Sequence, residues 1–172
     1  PFSSEEGAGV LVVANAADTS PRWFAAADNQ GARIDGFTIR GADTSGGVVV
    51  NGYADYLEIS NNRIVNNNGF FNGGIRVGHP FLNTQDLAGI VTRTDSDNDF
   101  VRISNNQISL NGGFDGAGGG VSLYNGSDNY DVAENFVCGN FTLGDGAGIA
   151  HLGLSNNCLL YTSPSPRDRT RS

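Results

Sequence analysis

Short apolar runs alternate with asparagine- and glycine-rich corners along most of this chain, and the alternation recurs. Tyr56–Val77 reads YLEISNNRIVNNNGFFNGGIRV, Phe100–Leu123 reads FVRISNNQISLNGGFDGAGGGVSL, and Tyr130–His151 reads YDVAENFVCGNFTLGDGAGIAH. A degenerate copy, Ala32–Val50, precedes them. Aligned on Ile34, Ile59, Ile103 and Val132, the copies carry Ile39, Ile64, Ile108 and Val137 five positions on. Three positions on stand Phe37, Asn62, Asn106 and Asn135, and eight positions on the last three copies have Asn67, Asn111 and Asn140. Each copy then reaches a small pair before an alternating strand: Gly46-Gly47, Gly73-Gly74, Gly119-Gly120 and Ala147-Gly148. Apolar residues at period two, bounded by Gly and Asn, predict short strands, and Val10–Val13 predicts an earlier one. Ala16–Gln30, with Pro21 and Trp23, breaks the pattern and reads as a loop or short helix.

The aligned residues are spaced by 25, 44 and 29. A period in the twenties with Gly and Asn turns predicts a parallel β-solenoid, each strand pairing with its equivalent one coil above, about 4.8 Å away. Inward side chains then stack into two aliphatic columns, and corner asparagines hydrogen-bond to their equivalents and to turn backbone. The column Arg33, Glu58, Arg102, Asp131 alternates in sign and reads as a ladder of surface ion pairs that sets register. The long spacing exceeds its neighbours by 15 to 19 residues, in His79–Asn98. Insertions in repeat proteins leave as loops on one face. Phe81, Leu82, Leu87, Ile90 and Val91 are too apolar for a fully solvated loop. A loop packed on the flank, such as a small hairpin, is the preferred reading, and an extra, poorly matching coil is the other.

Composition sharpens this picture. Twenty-five glycines in 172 residues favour turns and strands over helices. The formal charge is −8, and all ten basic residues are arginine. Phosphate binding needs clustered Lys and Arg, so nucleic acid and anionic membranes are not expected partners. No run of about 18 apolar residues predicts a membrane span. The start at Pro1, inside an apparent coil, points to a fragment.

The pattern exemplified by Ile59-Ser60-Asn61-Asn62-Arg63-Ile64 and Gly73-Gly74-Ile75-Arg76-Val77 resembles the right-handed parallel β-helix repeats of the pectate-lyase-like superfamily, over about Ala32–Leu154. The resemblance implies an all-β fold: a right-handed single-stranded parallel β-helix of about four to six coils, spanning 1–157 and uncapped at both ends. That superfamily includes polysaccharide lyases, glycoside hydrolases, epimerases, adhesins and phage tailspikes, so fold alone carries no activity. The expectation is a structural or carbohydrate-binding segment of a large secreted or surface bacterial protein, without catalysis of its own. Its partners would be a polysaccharide or cell-surface glycan and the flanking coils. The rival is part of a secreted lyase or glycoside hydrolase acting on acidic polysaccharide.

Lyases of this kind use an arginine or lysine base with carboxylate-held Ca2+, and hydrolases use clustered aspartates. The available groups are Asp115, Asp128 and Asp145 with Arg76 or Arg102, none in a diagnostic motif. Arg76 is expected to project outward beside the insert as a ligand-facing cation. His79, Asp115 and Asp145 complete the candidate ligand-binding set. His151 occupies a strand position and reads as a partly buried structural histidine. Asp95, Asp97 and Asp99 alternate in DSDND and could present hard oxygens to calcium, although Phe100 stands where an EF-hand loop needs Gly. The bland alternative is an Asx-rich turn. No Cys/His metal cluster, phosphate loop or nucleophile elbow is present.

Cys158–Asp168, CLLYTSPSPRD, resembles a translated transposon-end sequencing adapter, which makes 158–172 a non-native tail. Without the tail, 17 acidic and 7 basic residues leave a net charge of −10, and Cys138 stands alone as a small packed residue. Deleting Cys158–Ser172 is expected to leave the melting temperature unchanged in a calorimetric scan. A clear drop would mean that the tail packs on the domain.

Overall fold

A computed structural model describes residues 7–13, 32–51, 54–79, 83–85, 91–93, 98–116 and 118–152. The expected loop or helix at Ala16–Gln30, the insert residues 80–82, 86–90 and 94–97, and the tail at 158–172 lie outside them. The described residues are all-β, with no helix. An initial strand, β1 (Val10–Val12), precedes four repeat units. The first unit holds β2 (Arg33–Asp35), β3 (Thr38–Ile39) and β4 (Val48–Val50). The second holds β5 (Glu58–Ser60), β6 (Arg63–Val65), β7 (Asn68–Gly69) and β8 (Ile75–Val77). After β9 (Asn83–Gln85) and β10 (Val91–Arg93), the third unit holds β11 (Arg102–Ser104), β12 (Gln107–Ser109), β13 (Gly112–Gly113) and β14 (Val121–Leu123). The fourth holds β15 (Asp131–Ala133), β16 (Phe136–Cys138), β17 (Phe141–Thr142) and β18 (Ile149–His151).

Strands from successive units stack parallel in four sheets, ordered β2-β5-β11-β15, β3-β6-β12-β16, β7-β13-β17 and β1-β4-β8-β14-β18. The registers match the sequence alignment residue for residue. Ile34, Ile59, Ile103 and Val132 are paired in the first sheet. Ile39, Ile64, Ile108 and Val137 are paired in the second. Val10–Val12 pairs with β4, so the earlier strand is present. By contrast, β9 and β10 pair only with each other, antiparallel, as a hairpin within the insert.

Ile59, Ile64, Ile103 and Ile108 are fully buried, each contributing about 1.5–3 kcal/mol of apolar burial. Asparagine ladders run beside these columns. The Asn62 backbone N–H and its Nδ2 both donate to Asn106 Oδ1, at 2.9 and 3.1 Å. Asn106 does the same to Asn135 Oδ1, at 2.9 Å each. The second ladder links Asn67 to Asn111 and Asn111 to Asn140 at 3.0–3.1 Å. Each amide also reaches back to a strand carbonyl of the previous unit, as Asn106 Nδ2 does to Ile59 O at 2.8 Å. One short side chain thus satisfies backbone that turns the corner and cannot join a sheet.

The corners bend through left-handed residues at equivalent positions. Asn61, Asn105 and Glu134 have φ of 55–57°, and Asn66 and Leu110 have 55° and 57°, with Gly36, Gly41 and Gly139 completing the two columns. Asn tolerates this region because its amide bonds locally, whereas a branched side chain is strained there. The glycine pairs answer a different need, close approach: a Cβ on Gly73 would collide with the Gly112 backbone, and one on Gly119 with that of Phe141.

On the outer face, Arg33 lies 3.5 Å from Glu58, and Arg102 lies 3.5 Å from Asp131. These pairs are half-exposed and order the register more than they stabilise it. Cys138 departs from expectation: it is exposed rather than packed. Alternation turns Val137 inward and Cys138 outward on β16, and no described strand lies beyond β16 to cover it.

Asn106→Ala is expected to lower stability by roughly 2–4 kcal/mol, because it leaves both Asn62 donors without their acceptor and the Ile59 carbonyl without the Asn106 amide. A urea titration with an unchanged m-value checks this. Leu110→Asn is expected to raise the midpoint of the same titration, by about 0.5–1 kcal/mol, because Asn accepts the left-handed corner and Leu110 is 56% exposed.

Candidate functional site

Arg76 sits in the middle of β8 between the inward Ile75 and Val77. It is fully buried, which corrects the expectation of an outward, ligand-facing cation. Its register neighbours Val49 and Ser122, on the adjacent units, are also buried, so this face of the fourth sheet is covered. The guanidinium carbon lies 5.8 Å from the Phe71 ring centroid, a cation–π contact in a desolvated setting.

Phe71 organises the cluster around it. Its ring meets His79 at 5.4 Å, Phe70 at 4.9 Å and Tyr124 at 6.5 Å, all edge-on. Tyr124 Oη donates to Phe71 O at 3.0 Å. Gly116 is needed here because a Cβ would stand 2.7 Å from Tyr124 Oη. Asn72, beneath Phe71, donates to Gly118 O at 2.7 Å and Ser122 Oγ at 2.8 Å. His79 follows the left-handed Gly78 and is half-buried. Burial, and secondarily the Arg76 charge, lower its pKa to about 4.

Asp115 and Asp145 are exposed and do not join Arg76. The Asp115 carboxylate accepts from Gly116 N at 2.8 Å, closing its own turn. Its backbone N–H donates to Phe70 O at 2.7 Å, and Asp145 O accepts from Gly118 N at 2.9 Å. The other groups weighed for catalysis are dispersed as well: Arg102 pairs with Asp131, and one Asp128 oxygen is buried without a hydrogen-bond partner. His151 is partly buried, with Nδ1 3.1 Å from Tyr130 Oη.

Of the proposed calcium ligands, Asp95 and Asp97 lie outside the described residues. Asp99 donates its N–H to Asp55 Oδ1 at 3.1 Å. Among the described residues no three His, Cys, Asp or Glu side chains are grouped to hold a metal ion.

The structure also aligns outward aromatic residues that were not singled out in the sequence. Phe70, Phe114 and Leu143 each follow a register-matched trio, Gly69, Gly113 and Thr142, in the third sheet. They are 45%, 49% and 80% exposed, so an apolar stripe crosses three units, with Asp115 and Asp145 beside it. Tyr56 and Phe100 form a second column, stacked at 4.8 Å and 7°. Both signals were available in the alignment. Phe70, Phe114 and Leu143 each lie 11 residues after the aligned aliphatic, and Tyr56 and Phe100 each lie three before it.

No family model, curated protein or solved structure matches this chain.

The His79 ring is expected to stay neutral down to about pH 4 in an NMR titration. The unfolded chain takes up this proton near pH 6.5 and the folded one only near 4, so this group's contribution falls as pH drops through that window. Arg76→Gln should raise the His79 value while leaving it below 6.5, because burial is the larger cause. A wild-type value near 6.5 would contradict the half-buried setting.

Proposed function

We propose that the chain is a segment of a right-handed parallel β-helix of the pectate-lyase-like kind, part of a larger secreted or surface protein, and that it binds carbohydrate without cleaving it. The observation that carries this reading is the exposed Phe70–Phe114–Leu143 stripe with Asp115 and Asp145 alongside. Contiguous exposed apolar residues rimmed by polar ones mark interaction surfaces. Aromatic faces offer the C–H face of a sugar ring a flat, weakly negative partner, and carboxylates accept hydrogen bonds from its hydroxyls. The −8 charge disfavours a polyanionic ligand and favours a neutral glycan.

The lyase or hydrolase alternative requires a cation or paired carboxylates facing one groove. The burial of Arg76 and the turn-closing role of Asp115 weigh against it. The stacked repeat supports the scaffold half of the proposal, because its asparagines and aliphatics all serve the stack itself.

Affinity electrophoresis through neutral polysaccharides and through polygalacturonate tests the reading. Retardation is expected in a neutral glycan, and Phe114→Ala should weaken it about 3- to 10-fold, the scale of one lost aromatic contact. Unsaturated product released from polygalacturonate, or equal retardation of Phe114→Ala, would overturn it.

A further inference from the structure

Phe70 and Phe114 belong to interior units, so their exposure is sideways and owes nothing to an end of the stack. Described backbone lies on both sides of them. Phe70 N–H donates to Thr44 O of the first unit at 2.8 Å, and Leu143 N–H of the fourth donates to Gly113 O at 3.1 Å. The pairing of β7, β13 and β17 continues into the stripe, because Asp115 N–H donates to Phe70 O at 2.7 Å. Phe70, Phe114 and Leu143 therefore stand one to a coil in a line along the stack axis, advancing by the strand spacing of about 4.8 Å. Phe71 braces the Phe70 ring edge-on, at 4.9 Å and 89°, so little side-chain freedom remains to be lost when a ligand binds.

One side of the stripe is raised. The chain from the second-ladder position to the glycine pair spans Ala42 to Gly47, Asn67 to Gly74, Asn111 to Gly120 and Asn140 to Gly148, separations of 5, 7, 9 and 8 residues. Both ends of each span are held in register. The asparagine ladder fixes one end, and the bonds from Gly47 N to Gly73 O, Gly74 N to Gly119 O and Gly120 N to Ala147 O fix the other. The longer spans of the third and fourth units therefore bulge outward, at Asp115 and at Gly144, Asp145 and Gly146, all of them exposed. This ledge carries two carboxylates along the line of apolar side chains.

Resting on the carbohydrate-binding reading above, we propose that the ligand of this stripe is an extended, β-1,4-linked neutral glucan lying along the stack axis, one sugar to a coil. The pitch selects the linkage. An equatorially linked chain advances by nearly one coil spacing per sugar and stays straight, so each ring meets its own position. An α-1,4-linked chain curls and leaves a straight stripe after one or two sugars. Equatorial substituents also turn C–H faces toward Phe70, Phe114 and Leu143 and hydroxyls sideways, where the ledge carboxylates accept from them. Asp115 and Asp145 repel uronate groups, which keeps the ligand neutral.

NMR titration of the full chain with cello-oligosaccharides of one to six sugars tests this, with malto-oligosaccharides of equal length as the comparison. Affinity should rise about 3- to 10-fold with each sugar up to three and then level off. Cellotriose should bind at least about tenfold more tightly than maltotriose, the scale of one or two lost ring contacts. Phe70→Ala and Phe114→Ala should each weaken cellotriose about 3- to 10-fold, while their urea midpoints stay near that of the unaltered chain. Affinity that levels off at one sugar, responds to only one of the two phenylalanines, or favours the malto series would overturn the axial placement and leave the carbohydrate-binding reading standing. Binding to neither series would overturn it too. With retardation by another neutral polysaccharide the carbohydrate-binding reading survives, and without it both fall.

Discussion

Corner backbone in a stack of parallel strands cannot hydrogen-bond as a sheet, and each of its buried polar groups left without a partner would cost about 1–3 kcal/mol. The asparagine ladders solve this in every interior unit. An Asn side chain is long enough to reach the strand carbonyl of the unit before it, and its oxygen takes two donors from that same unit. The rung therefore locks two units in one register, and a slip would break several buried bonds together. The aliphatic columns supply most of the stabilising area, but isoleucine on isoleucine is indifferent to small shifts. The amides make the stack specific.

Two other constraints follow from that geometry. Rapid corners require left-handed backbone, which Asn and Gly accept readily and which Leu110 and Glu134 occupy under strain. Close passage of the third sheet against the start of the fourth leaves no room for a Cβ at Gly73 or Gly119. The richness in Gly and Asn is thus a requirement of the stack, and gives no hint of a ligand. What remains free to vary is the outward face. There the chain places a charge-alternating column on the first sheet, an aromatic stripe across the third, and a covered Arg76–Phe71–His79–Tyr124 cluster at the root of the insert. The cluster is turned away from solvent, and the stripe is exposed.

The repeat alignment by itself determined the unit boundaries, the strand pairing, the two aliphatic columns, both asparagine ladders and the sign alternation from Arg33 to Asp131. Those features are periodic, and in sheets that take one strand from each unit the spacing in sequence is the register in space. The same alignment holds the Phe70–Phe114–Leu143 column, but two aromatics and one aliphatic at one repeat position do not say whether that position meets water. Only the tertiary structure decided the fate of Arg76, Asp115 and Cys138. Strand alternation says which face a side chain takes, but not whether that face meets water. For Arg76 the answer depends on what covers the fourth sheet, for Asp115 on a turn closed by its own carboxylate, and for Cys138 on there being no described strand beyond β16. Burial depends on contacts from chain remote in sequence, and a local pattern cannot encode it.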